Sequence, residues 1–113
     1  KDILMSLLQK LKQLISSSTS DIDSMPANAL LIDVRNANEH ATGTIENSLL
    51  IPLPKLKDTA ATESKLNDKT RPIVVYCASG VRSFKAKRQL QALGYSKVYN
   101  GGGINQVRGL LQK

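Results

Sequence analysis

Four short apolar runs punctuate the chain. Ala29-Leu30-Leu31-Ile32-Asp33-Val34 is continuous and closes on a charge, the pattern of a strand buried on both faces. Leu49-Leu50-Ile51 is closed by Pro52. Ile73-Val74-Val75-Tyr76 lies between Pro72 and Cys77, and Lys97-Val98-Tyr99 leads into Gly101-Gly102-Gly103. The stretches between the runs are helical in pattern. Residues 54–66 carry Lys, Ala and Leu behind an early proline, and residues 81–93 place Phe84, Ala86, Leu90 and Leu93 on one side, with Gly94 as a C-terminal cap. A last helix is expected over residues 104–112. Alternating strand and helix predict an α/β domain with a parallel sheet covered on both faces. Ligands in such sheets bind beyond the carboxyl ends of the strands, where Asp33 and Cys77 both fall.

Ahead of this unit, Leu4, Leu7, Leu8, Leu11, Leu14 and Ile15 follow helical spacing over residues 3–15. This helix is expected to pack on its own domain, with a partner groove or a membrane surface as alternatives. A serine-rich stretch, residues 16–20, reads as a linker. The chain thus divides into residues 1–20, helix and linker, and residues 21–113, one domain.

At 113 residues and 41% hydrophobic content the chain is sized for one core and is too aliphatic to be disordered. No apolar run approaches the roughly 20 residues of a membrane span. One Cys and one His exclude an internal disulfide and leave too few ligands for a zinc site, so no metal or cofactor is expected. His40 reads as a surface histidine. Gly101-Gly102-Gly103 is no phosphate loop, because no Lys-Ser/Thr follows; it reads as a flexible turn.

The net charge of +7 is uneven. All nine acidic residues lie within residues 1–68, and residues 69–113 hold nine Lys and Arg with no acid. A basic half attracts anions. Stacking aromatics and nucleic-acid motifs are missing, so a small anionic substrate accounts for it better than a nucleic acid.

The segment Val75-Tyr76-Cys77-Ala78-Ser79-Gly80-Val81-Arg82-Ser83 carries the chemistry. Most free cysteines are small buried apolar residues. This one ends a strand and precedes small residues and a helix start. Unpaired N–H groups of the first helical turn, a Gly80 able to take positive φ, the helix dipole and Arg82 all favour thiolate. They predict a Cys77 pKa below the ordinary value of about 8.5. A thiolate is a nucleophile, and the same ring of amides can hold the charge of what it becomes.

Cys77, four residues, then Arg82, with Gly80 in the loop and Ser83 after the arginine, resembles the active-site loop of rhodanese-domain sulfurtransferases. Leu31-Ile32-Asp33-Val34-Arg35, Glu39-His40, Gly43-Thr44-Ile45 and Ile51-Pro52 resemble the family's upstream motif. Leu93-Gly94-Tyr95 and Tyr99-Asn100-Gly101-Gly102-Gly103 resemble the stretch after its catalytic helix. The likeness spans about residues 28–107, and small single-domain members, the phage-shock-protein-E-like group among them, are nearest in length.

The resemblance implies a central, mostly parallel, five-stranded sheet with helices on both faces. It implies that Cys77 takes the sulfane sulfur of thiosulfate or a related donor as a persulfide and passes it to cyanide, a thiol or a protein acceptor. The amides of Ala78, Ser79, Gly80, Val81 and Arg82 would cradle that sulfur, with Arg82 binding the anion and closing the loop. Asp33 and Arg35 would be structural or line the pocket rim. Ala78 stands where many members carry a basic residue, so weak thiosulfate affinity and another donor are expected. His40 replaces a common aromatic, Thr44 a common His, Asn47 a usual Gly, and Val107 a frequent Trp.

Two other classes remain open. Cysteine phosphatases and arsenate reductases use a loop one residue longer, and Arg82 is too near Cys77 for it. A non-catalytic or sulfur-carrier interaction module is the other. The lone thiol and the lack of a signal-like segment point to the cytoplasm. Because the chain opens on Lys1, a processed, periplasmic protein is the alternative.

Overall fold

A computed structural model describes residues 20–113. The helix expected over residues 3–15 and most of the serine-rich stretch lie outside the described residues. Within them, strands β1 (Leu30–Asp33), β2 (Leu49–Leu50), β3 (Ile73–Cys77) and β4 (Val98–Gly103) alternate with helices. These are α1 (Ala37–Thr42), α2 (Leu56–Thr62), α3 (Val81–Ala92) and α4 (Ile104–Leu111). Among the described residues the sheet has four strands, ordered β2-β1-β3-β4, and every pairing is parallel. The expected fifth strand is not found among the described residues. At the open edge of β4 the chain makes a clip instead. The Asp21 N–H donates to Asn100 O at 2.7 Å, and Asn100 N–H donates to Asp21 Oδ2 at 2.8 Å. Lys87 Nζ joins the same carboxylate at 2.6 Å. One residue paired on both sides does not make a strand.

Side chains alternate across β3, as the pleat requires. Ile73, Val75 and Cys77 join Leu30, Ile32, Leu56, Ala86 and Leu90 in a core on the α2 and α3 side. Tyr76 packs with Ile45 and Val107 on the α4 side. Helices thus cover both faces, and each buried Leu or Ile contributes about 1.5–3 kcal/mol.

The helix expected over residues 54–66 is interrupted. A 3-10 turn at Leu53–Lys55 precedes α2, Glu63 is extended at ψ 119°, and a second 3-10 turn follows at Ser64–Leu66. The Glu63 side chain accepts from Lys65 N at 3.1 Å and starts that turn anew, as a capping carboxylate does. Asn47 takes the left-handed conformation, φ +68°, which asparagine tolerates better than most residues.

The three glycines expected as a flexible turn are buried strand instead. The β3–β4 register slips between Val75 and Tyr76, so that Val75 faces Asn100 but Tyr76 faces Gly102. Gly101 is the extra residue of this bulge. A Cβ on Gly101 would stand 2.7 Å from Val107 Cγ2, and one on Gly103 would stand 2.6 Å from the Ala78 carbonyl oxygen. Only glycine lets β4 press against α4 on one side and the loop after Cys77 on the other.

Candidate active site

Cys77 is the last residue of β3, and α3 begins four residues later. Between them the backbone curls back over the sulfur. Gly80 makes that return possible. It precedes the helix at φ +98°, a region costly for residues with a Cβ, and its N–H donates to Cys77 Sγ at 3.0 Å. The sulfur faces these amides but has no exposed surface. Ala78 and Ser79, at the tip of the loop, are exposed, and Val81 is 54% exposed.

Burial alone pushes the Cys77 thiol up. Hydrogen bonds from the Ser83 hydroxyl and from the Ser83, Ser79 and Gly80 amides outweigh it and hold the thiol below its ordinary value. The Ser83 hydroxyl lies 3.4 Å from Sγ and also donates to Asn100 Oδ1 at 2.7 Å. It has one proton, so it serves one acceptor at a time. The backbone amides carry the steadier part of the stabilisation.

Asn100 is the buried brace of this loop. Its Nδ2 donates to Gly80 O at 3.0 Å, and its Oδ1 accepts from Gly102 N at 2.9 Å as well as from Ser83. One amide side chain therefore joins β4, the turn glycine and the first turn of α3.

Arg82 lies close enough to Cys77 for the two charges to act on each other, and it is also committed to a carboxylate. Its guanidinium grips Glu39 of α1 through two parallel bonds, 2.6 and 2.9 Å. The bond to Arg82 holds the Glu39 carboxyl down at about 2, against an ordinary 4.5. Glu39 is itself anchored, because α1 opens with a capping box. Asn36 Oδ1 accepts from Glu39 N at 3.0 Å, and Asn36 N donates to Glu39 Oε1 at 3.2 Å.

Asp33 and Arg35 form a second pair, buried and bidentate, with contacts of 2.7 to 3.2 Å. Burial pushes the Asp33 carboxyl up, but bonds from Arg35 and His40 hold it below the ordinary value. His40 Nδ1 stands 3.0 Å from Asp33 Oδ2, so this histidine is half-buried and tied to the strand end rather than free on the surface. Arg35 also donates to Gly43 O at 2.7 Å. Asp33 and Arg35 thus fasten the α1 segment to the carboxyl end of β1.

The structure brings Cys77, Ser79 and Gly80 together and leaves Ala78 and Val81 at the lip. Ser83, Asn100 and Glu39 stand in the sequence only as parts of motifs, and the motifs do not give their contacts. A polar asparagine inside an apolar strand was the available signal for Asn100. Among the described residues no group of three His, Cys, Asp or Glu side chains is placed to hold a metal ion.

A family model described as the rhodanese-like domain matches residues 8–109. The chain belongs to this family. Among solved structures the rhodanese-like domain is similar to a rhodanese with anions from E. coli, with 33% identity and a TM-score of 0.64, covering 69% of this chain and 89% of that one. It is also similar to a human single-domain sulfurtransferase, 27% identical, with a TM-score of 0.61 and coverage of 94% and 93%. Among curated proteins it matches the tRNA uridine(34) hydroxylase of Erwinia tasmaniensis, 36% identical over 84 residues, 71% of this chain. The chain spans 24% of the length of that relative.

Proposed function

We propose that this rhodanese-like domain is a sulfurtransferase that works through a Cys77 persulfide. The observation that carries the reading is the 3.0 Å bond from Gly80 N–H to Cys77 Sγ, made by a loop whose amides face the sulfur. The thiolate attacks the outer sulfur of a sulfane donor. The donor's S–S bond breaks, its electron pair leaves with the remainder of the donor, and the transferred sulfur stays on Cys77. A thiophilic acceptor, cyanide or a thiol, then attacks that sulfur and restores the thiolate. Ala78, Ser79, Gly80, Val81 and Arg82 provide the cradle amides. Movement of the exposed Ala78-Ser79 tip admits the donor to the covered thiol.

Intact-protein mass spectrometry after incubation with thiosulfate and with an organic hydropersulfide tests the proposal. A gain of about 32 Da, one sulfur, that disappears in Cys77→Ala is the expected result. No gain with any sulfane donor would remove the transferase reading and favour a binding module.

A second reading is favoured by the 36% identity with a segment of tRNA uridine(34) hydroxylases: the Cys77 thiolate serves RNA modification as part of a larger protein. Binding of tRNA by the domain, lost at high salt, supports it. Its absence leaves the first reading.

A further inference from the structure

The charges at the mouth of the thiol loop cancel. Arg82 is bound by Glu39 through 2.6 and 2.9 Å contacts, and Arg35 by Asp33 through a contact of 2.7 Å. The pairs and the thiol are close enough to feel one another: Cys77 and then Asp33 act on Arg82, and Glu39 acts on Arg35. Two cations are thus matched by two anions. Glu39 is held in place to receive Arg82, because the Asn36 amide donates to its Oε1 at 3.2 Å. The three exposed residues of the lip, Ala78, Ser79 and Val81, carry no charge.

This matters for the donor. With thiosulfate, a thiolate meets a dianion, and the transition state carries three negative charges. With an organic hydropersulfide in its protonated form R–S–SH, which is the form that reacts, it carries one. The step is Cys77–S⁻ + R–S–SH → Cys77–S–SH + R–S⁻. The new bond joins Sγ to the terminal sulfur, the donor's S–S bond breaks, and its electron pair departs on the thiolate R–S⁻. Backbone amides can hold one charge. Three need a free cation, and Glu39 withholds it.

Resting on the sulfurtransferase reading, we propose that Glu39 is a specificity-determining residue. By holding Arg82 it makes this domain an acceptor of sulfur from hydropersulfides of small, uncharged or zwitterionic thiols rather than from thiosulfate.

The test compares kcat/KM for Cys77 persulfide formation from thiosulfate and from cysteine hydropersulfide, whose carrier has no net charge. The wild type is expected to prefer the hydropersulfide by about tenfold or more, the scale of one unpaired charge in a partly buried site. Glu39→Gln frees Arg82 and is expected to raise the thiosulfate value about tenfold while moving the hydropersulfide value less than about twofold. Glu39→Gln with Arg82→Gln is expected to lose that gain. A merely structural Glu39 would lower both donors alike. Circular dichroism checks folding, and Glu39→Asp, with the carboxylate drawn back, is the second variant, expected to shift the ratio the same way by less. A wild type that prefers thiosulfate, or a donor ratio unchanged in both Glu39 variants, overturns the proposal while leaving the transferase intact. Failure of both donors to load Cys77 removes the transferase itself.

Discussion

Ser83 is tied to Asn100 by a hydrogen bond of 2.7 Å, and that bond decides where the serine's single proton sits while Cys77 is neutral. On ionisation the proton can turn to Sγ, 3.4 Å away, at the expense of Asn100. The gain for the thiolate is therefore smaller than that of an uncommitted donor.

Ser83→Ala is expected to raise the midpoint of Cys77 alkylation against pH by no more than roughly one unit, and to cost about 1–2 kcal/mol of stability. The midpoint is the informative quantity, because the buried position of Cys77 slows reagent access at every pH. A wild-type midpoint at or above an ordinary thiol's contradicts the amide cradle.

Gly80→Ala places a Cβ on a residue at φ +98°. The strain is about 1–2 kcal/mol, and the helix start should rotate to relieve it, carrying its N–H away from Sγ. Urea unfolding should show the loss of stability. The alkylation midpoint should rise further than in Ser83→Ala.

Gly103→Ala is expected to cost about 1–3 kcal/mol by overpacking, since its Cβ would meet the Ala78 carbonyl at 2.6 Å. The loop is the softer partner and should move. Persulfide formation is expected to fall more than stability does, which parallel sulfur-loading and urea-melting curves will separate.

Acid should weaken the fold through Glu39 and Asp33. Both carboxyls are held below their unfolded values, so the folded state binds fewer protons than the unfolded one and stability rises with pH across their titration. The Glu39 contribution is present above the unfolded value of 4.5 and is lost as pH falls toward about 2. Glu39→Gln should flatten the pH dependence of urea midpoints in this window.

Asp33→Ala leaves the Arg35 guanidinium, 6% exposed, without its carboxylate. Removing one partner of a buried pair costs about 3–5 kcal/mol, a large part of a small domain's stability. The variant is expected to unfold at a markedly lower temperature. Arg35→Ala should behave similarly, because it orphans the buried Asp33.

Local signals in the chain were enough for the alternation of strand and helix, the parallel sheet and the position of Cys77 at a strand end. Apolar runs of strand length, a glycine before a helix and a cysteine before small residues act through their immediate neighbours, and neighbours are what a sequence displays. Glu63 marks a limit of that kind of reading. Helix propensity favoured continuity over residues 54–66, but the side chain of Glu63 bonds Lys65 N and restarts the backbone.

What the sequence by itself determined was the chemical type: one thiol, delivered by a buried strand to a loop of small residues beneath a helix start. The lowered thiol followed from its own loop, but tertiary structure alone decided which distant charges and braces stand around it. Arg82 and Glu39 lie 43 positions apart, and their pairing sets a carboxylate against the cation that the motif by itself provides. Burial of the three glycines was decided the same way, by the approach of Val107 and Ala78. Charge cancellation and close packing depend on distance through space, and only the folded chain sets that distance.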